Sequence, residues 1–114
     1  MTFKIEHNFE TRKRETERVR AKYPNKIPVI IERANKSSLP QIDKIKFLVP
    51  DDLTVGQLIY IIRKRIRLLS DQGLFIFIAN TLPQSSATMA EVYKQKKDED
   101  GFLYCEYNAE TVFG

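Results

Sequence analysis

The stretch Asp51–Leu69, DDLTVGQLIYIIRKRIRLL, constrains the fold of this chain more than any other. Thr54 and Gln57 are spaced as a capping box, hydroxyl and amide each able to satisfy a free backbone N–H at a helix start. Val55, Leu58, Ile59, Ile62, Ile66 and Leu69 then recur at helical spacing and predict one continuous buried stripe. The charges at 63, 64, 65 and 67 fall largely off that stripe and favour the C-terminal end of a helix. The rest of the chain must therefore supply an apolar surface for one long amphipathic helix.

Four short apolar runs can supply it. KIPVII (26–31), KFLV (46–49, closed by Pro50), LFIFIA (74–79) and FLYCEY (102–107) read as strands. Pro28 cannot donate a ladder hydrogen bond, so pairing on its side of the first strand should be incomplete. FETRKRETERVRAKY (9–23) reads as a surface helix stopped by Pro24-Asn25, with Phe9, Thr16, Val19 and Tyr23 on a thin stripe. A turn or short helix is expected over residues 2–7, a loop over 34–44, and another short helix over 88–95. Two strands, a long helix across one face, then further strands is the order of an α+β, ubiquitin-like β-grasp, here with two additional N-terminal helices. The expected organisation is a helical extension (1–24), a β-grasp core (25–107) and a C-terminal tail (108–114). The tail is short and polar from Asn108 to Thr111 and runs out to the glycine carboxylate of Gly114.

At 114 residues and 42% apolar content the chain can bury a core without metal or disulfide. No apolar run approaches the roughly 18 residues that span a bilayer, and no signal peptide opens the chain. One cysteine, Cys105, allows no internal disulfide, so a soluble cytosolic or nuclear single domain is expected. Catalytic machinery is not legible. His7 is the sole histidine, and Cys105 alternates with Leu103 and Tyr107 and should point into the core, with no local base to activate it. No Cys/His cluster has metal spacing, the four glycines make no phosphate loop, and Asp51-Asp52 reads as helix N-terminal charge. A non-enzyme with no cofactor is expected.

The net charge of +4 is uneven: residues 1–46 hold twelve Lys/Arg against six Asp/Glu, and RKRIR (63–67) adds four cations. A nucleic-acid binder would use such charge, but stacking aromatics on a basic face are missing, so no nucleic acid is expected. Strand alternation is more informative. Ile27, Val29 and Ile31 share one face and Pro28 and Ile30 the other; Phe47 and Val49 oppose Lys46 and Leu48. Both faces of these strands are apolar, and one long helix covers only one. Some of Pro28, Ile30, Leu48 and Phe102 should stay partly exposed beside Lys46, making a groove where an extended peptide could add a strand to KFLV.

RxxKYPNKIPVIIE, DKIKFLVPDDLTVGQLIYIIRKRI, FIFIANTLP and DEDGFLYCEYNAETVFG together resemble the autophagy ubiquitin-like modifiers, the family of the GABA-receptor-associated protein and the microtubule-associated protein light chain. The similarity covers nearly the whole chain. It implies that Gly114 is adenylated by an activating enzyme and passed through two cysteine enzymes. The glycine is then joined to phosphatidylethanolamine on autophagosome membranes, with Phe113 helping to dock the tail. It implies a groove for the aromatic-x-x-aliphatic motifs of cargo receptors. Carried over by position, the aromatic pocket is Glu15, Val19, Pro28, Ile30, Lys46, Leu48 and Phe102. The aliphatic pocket is Phe47, Val49, Pro50, Leu53, Leu58 and Ile61. Lys26, Lys44 and Arg65 would meet acidic flanks, and Phe75 and Phe77 match a second docking surface for helical motifs, a core role being the alternative. The resemblance further implies a monomer in the cytoplasm, membrane-bound when lipidated, and a cysteine protease that releases the lipid.

Three departures stand out. Ile45 replaces a commonly basic residue, Leu58 replaces a usual phenylalanine, and nothing follows Gly114, so either the usual first cut is unnecessary or the sequence has been cut back to the glycine. The alternative reading is an unconjugated peptide-binding or tubulin-associated adaptor, whose partner binding would survive loss of Gly114.

Overall fold

The computed structural model describes residues 2–109; residues 110–114, Phe113 and Gly114 among them, lie outside these, and Asn108, assigned to the tail, instead ends the last strand. Helix α1 (Thr2–Glu6) and helix α2 (Phe9–Lys22) precede strands β1 (Lys26–Arg33) and β2 (Lys46–Pro50). Helix α3 (Val55–Arg65), strand β3 (Phe75–Ile78), helix α4 (Met89–Lys96) and strand β4 (Leu103–Asn108) follow. The sheet order is β2-β1-β4-β3, with β1 parallel to β4 and the outer pairs antiparallel. The expected α+β grasp is present.

Helix α3 starts as the sequence predicts: Thr54 Oγ1 accepts from Gln57 N at 3.1 Å and Gln57 Oε1 from Thr54 N at 2.9 Å. The same box recurs at Thr88 and Glu91 of α4. Val55, Leu58, Ile62 and Ile66 are buried against Ile27, Val29, Ile31, Val49, Leu103 and Cys105. Each such side chain contributes roughly 1.5–3 kcal/mol by leaving water. The stripe ends sooner than its period suggests. Leu69 is 67% exposed, because the helix ends at Arg65 and Arg67 takes a positive φ of 56°. The chain leaves the helical path there, and Leu68 packs on the core instead.

The opposite face of the sheet carries a second, smaller core of Phe3, Ile30, Phe102 and Tyr104. The Phe3 ring meets Phe102 edge-on at 5.3 Å between centroids. Pro28, Ile30 and Phe102 are buried; of the four residues among which some were expected to stay partly exposed, Leu48 is the one that does, at 39%. Helix α2 keeps the middle of its predicted stripe, with Thr16 buried and Val19 half-buried, but Phe9 and Tyr23 are exposed, and the helix also buries Arg12.

Arg12 and Thr16 are held by Asp100, which is fully buried. Its carboxylate accepts from the Arg12 guanidinium, from Tyr104 Oη at 2.5 Å and from Phe102 N at 2.8 Å. Its carbonyl accepts from Thr16 Oγ1 at 2.5 Å. Gly101 follows with φ of 92°, packed so closely on Thr16 that a Cβ there would collide with it. A buried charge needs such partners to be tolerated. Glu32, also buried, receives Thr2 N, Thr2 Oγ1 and Phe3 N, which ties the start of α1 to β1.

Candidate functional site: an apolar groove beside an edge strand

β2 is an edge strand, paired with β1 from Lys26↔Pro50 to Ile30↔Lys46. Its outer side presents backbone groups to a further strand. Between it and α2 lies an open cavity of about 480 Å³. Pro28, Leu48 and Phe102 supply its apolar walls, and Val19, Ile45 and Phe47 extend them. The register explains this grouping: Pro28 stands opposite Leu48, and Phe102 immediately precedes the Val29↔Leu103 pair. Ladder pairing of β1 with β4 starts at Val29, one residue after the proline that cannot donate.

Charge sits at the rim. Lys46 Nζ reaches Glu15 Oε2 at 2.7 Å across the opening, with roughly half the lysine side chain in solvent. Lys44 Nζ and the Arg65 guanidinium lie 5.1 and 5.3 Å from the Phe47 ring centre. Arg65 is also paired with Asp43 at 2.8 Å, which offsets its charge. Lys26 is half-buried and its carbonyl accepts from Arg20.

Of the residues assigned to an aromatic pocket, Glu15, Val19, Pro28, Lys46, Leu48 and Phe102 line this cavity. Ile30 does not; it is fully buried in the cluster formed with Phe3. The residues assigned to an aliphatic pocket divide similarly. Phe47 and Leu53 are half-buried, Pro50 is exposed and Ile61 is 38% exposed, whereas Val49 and Leu58 are buried in the main core. Leu58 offers no surface to a ligand in this arrangement. Phe75 is half-buried. Phe77 is buried, on the α1 side of the sheet, beside Lys4, Tyr104 and Glu106 at a smaller cavity of about 280 Å³.

The thiol of Cys105 has no access to solvent, and burial pushes its pKa well above the ordinary range, which fits a packing role. Asp100, Arg12 and Glu32, which fix α1 and α2 on the sheet face beside the groove, were not singled out from the sequence. Asp98-Glu99-Asp100 reads as a solvated acidic run, and only the following glycine hints at a close approach.

The family model for the Atg8 autophagy protein, described as ubiquitin-like, matches residues 11–114. Autophagy-related protein 8c of Arabidopsis thaliana is 54% identical over 113 residues, covering 99% of this chain and 95% of that protein. Autophagy-related protein 8 of Mycosarcoma maydis is 55% identical over 112 residues, covering 98% and 95%. The crystal structure of Trypanosoma brucei ATG8 superposes with a TM-score of 0.91 at 43% identity, covering all of this chain and 98% of that one. With a β-grasp sheet, two helices added before it and this similarity along almost its full length, the chain belongs to the Atg8 family of ubiquitin-like autophagy proteins.

Proposed function

We propose that this chain is a modifier joined through the Gly114 carboxylate to phosphatidylethanolamine on autophagosome membranes, where its groove captures receptors bearing aromatic-x-x-aliphatic motifs. The observation that supports the capture role is the groove itself, an apolar cavity of about 480 Å³ opening beside the unpaired side of β2. An extended peptide adds a strand to β2, places its aromatic side chain between Pro28, Leu48 and Phe102, and lays its aliphatic side chain near Phe47, Leu53 and Ile61. Two filled pockets at roughly 1.5–3 kcal/mol each, with ladder hydrogen bonds, suffice for micromolar affinity, on the order of −8 kcal/mol. Lys44 and Lys46 favour acidic residues beside the motif. Ile45, apolar at this rim, weakens that preference.

Family membership supports the tail reading. A residue without a side chain at the end of a polar segment can enter a narrow active site and approach a nucleophile closely. A two-chain lipid then holds the domain at the membrane, each buried methylene adding about 0.8 kcal/mol. Its partners in this role are the activating and conjugating enzymes of the pathway and the protease that releases the lipid. The groove is tested by calorimetric titration with a peptide of the form acidic-aromatic-x-x-Leu. Leu48→Asp puts a charge in the apolar wall of a half-open edge strand and should lower affinity at least about tenfold with the fold intact. Unchanged affinity would move the site elsewhere.

A further inference from the structure

Apart from Arg65, the basic run 63–67 plays no part in the groove, yet the segment after it is built with care. The Arg63 guanidinium donates to Gln72 O at 2.7 Å and Leu69 O at 2.9 Å. Leu69 N donates to Gln72 Oε1 and Gln72 N to Leu69 O, both at 3.1 Å. The turn 69–72 is thus closed on itself and braced to the end of α3. What it holds out is a leucine, Leu69, two-thirds exposed. Before it in the chain stand Arg67 and Lys64, both exposed and joined by Arg67 N donating to Lys64 O at 3.2 Å. A turn earlier on α3 is Tyr60, 58% exposed, with Lys64 Nζ 4.9 Å from its ring centre. Asp71 is the acidic residue of the turn; Arg65 is already paired with Asp43. An exposed apolar tip following exposed cations at a helix end is the composition of a surface that settles at an anionic lipid headgroup layer.

Its place in the fold names the occupant. Gly73, next after the turn, packs on the carbonyl of Ala109, and Phe75 pairs with Asn108. The corner therefore stands where the chain departs into residues 110–114. Five residues span at most about 17 Å when fully extended, and a four-residue turn closed in this way keeps its ends within about 7 Å. If Gly114 carries a lipid, the corner cannot stand far from the bilayer. We propose that the turn 69–72 with Lys64 and Arg67 is a membrane-docking corner. It orients the anchored domain on a bilayer containing anionic phospholipid, with Leu69 entering the headgroup region. This inference rests on the lipid-conjugation reading of Gly114.

Chemical anchoring separates the two ideas. The full chain, extended by one cysteine after Gly114, is coupled to maleimide-phosphatidylethanolamine in lipid nanodiscs; Cys105 is fully buried and does not compete. Spin-labelled lipid then broadens the amide signals of whatever face meets the membrane. The strongest broadening is expected at Lys64 and residues 67–72, in phosphatidylserine-containing discs more than in phosphatidylcholine discs. Arg67→Gln should lower the docked-to-free ratio about fivefold, and Leu69→Asp by about tenfold or more. The spectra of both exposed-site variants away from the corner should be unchanged. Broadening centred on another face, no broadening, or broadening indifferent to both substitutions and to phosphatidylserine would overturn the proposal. Failure of enzymatic conjugation, measured separately, would overturn the modifier reading and leave this result as it stands.

Discussion

Asp100 shows how much a single residue can decide while looking ordinary in the sequence. Its carboxylate is entirely buried and joins α2, through Arg12, to the start of β4, through Phe102 and Tyr104. Asp100→Ala strands the Arg12 guanidinium in a desolvated site and should cost about 3–5 kcal/mol in chemical denaturation. Arg12→Ala should cost a similar amount, and the double variant clearly less than their sum. The Lys46–Glu15 pair is a contrast: its partners reach solvent, so Glu15→Ala should change stability by no more than about 1 kcal/mol. None of this was legible from DEDG, because nothing in a run of carboxylates says which one turns inward. Cys105 was legible, since strand alternation alone puts it with Leu103 and Tyr107, all three fully buried. Its raised pKa and burial predict that thiol reagents label the native protein only as fast as it opens. Rapid labelling in native buffer would contradict that placement.

Among the elements, the placing of the N-terminal pair and of the capped helices was readable, whereas what the N-terminal pair packs against was not. Capping boxes at Thr54 and Thr88 are local chemistry, and Thr54→Ala should cost about 1 kcal/mol by denaturant melt. The end of α3 was overrun because a hydrophobic period continues through Leu69 while the backbone departs at Arg67. Helix α1 has one buried side chain, Phe3, too little for a pattern. Its position depends on tertiary groups, Glu32 at its start and Asp98 near its middle, where Lys4 Nζ sits 2.5 Å away. Desolvation raises the pKa of Asp98, but the Lys4 ammonium and the Asp100 N–H outweigh it and hold the carboxyl below its ordinary value of 3.8. A depressed carboxylate stabilises the fold above that ordinary value and loses its contribution as pH falls through the lower, folded one. Lys4→Ala should move the Asp98 carboxyl titration, followed by carbon NMR, upward and loosen α1 at acid pH. An unmoved midpoint would mean the pair does not form in solution.

For the molecule as a whole, the succession of elements along the chain, the crossing helix and the two apolar faces followed from alternation and period, which are one-dimensional signals; the order of strands in the sheet did not. Nor did the way the second face is covered. Only the folded chain shows Phe3 closing over Ile30 and Phe102, leaving Leu48 as the open member of that set. The groove is thus the portion of the outer face that α1 and α2 leave uncovered, at the sheet edge where a peptide can still pair. Its residues lie along the β2 edge of the sheet, whereas the tail departs beside β3, on the opposite edge. A domain held by its tail can therefore keep its groove open to receptors. The most direct test of a lipid-conjugated adaptor is reconstitution with the family's activating and conjugating enzymes, ATP and phosphatidylethanolamine liposomes, read by intact mass and C-terminal peptide mapping. The wild-type chain should gain one phosphatidylethanolamine on its C-terminal peptide, and Gly114→Ala should gain none. No adduct on the wild type, with a positive-control modifier conjugated in parallel, would contradict the account and leave the groove as an unanchored peptide-binding site.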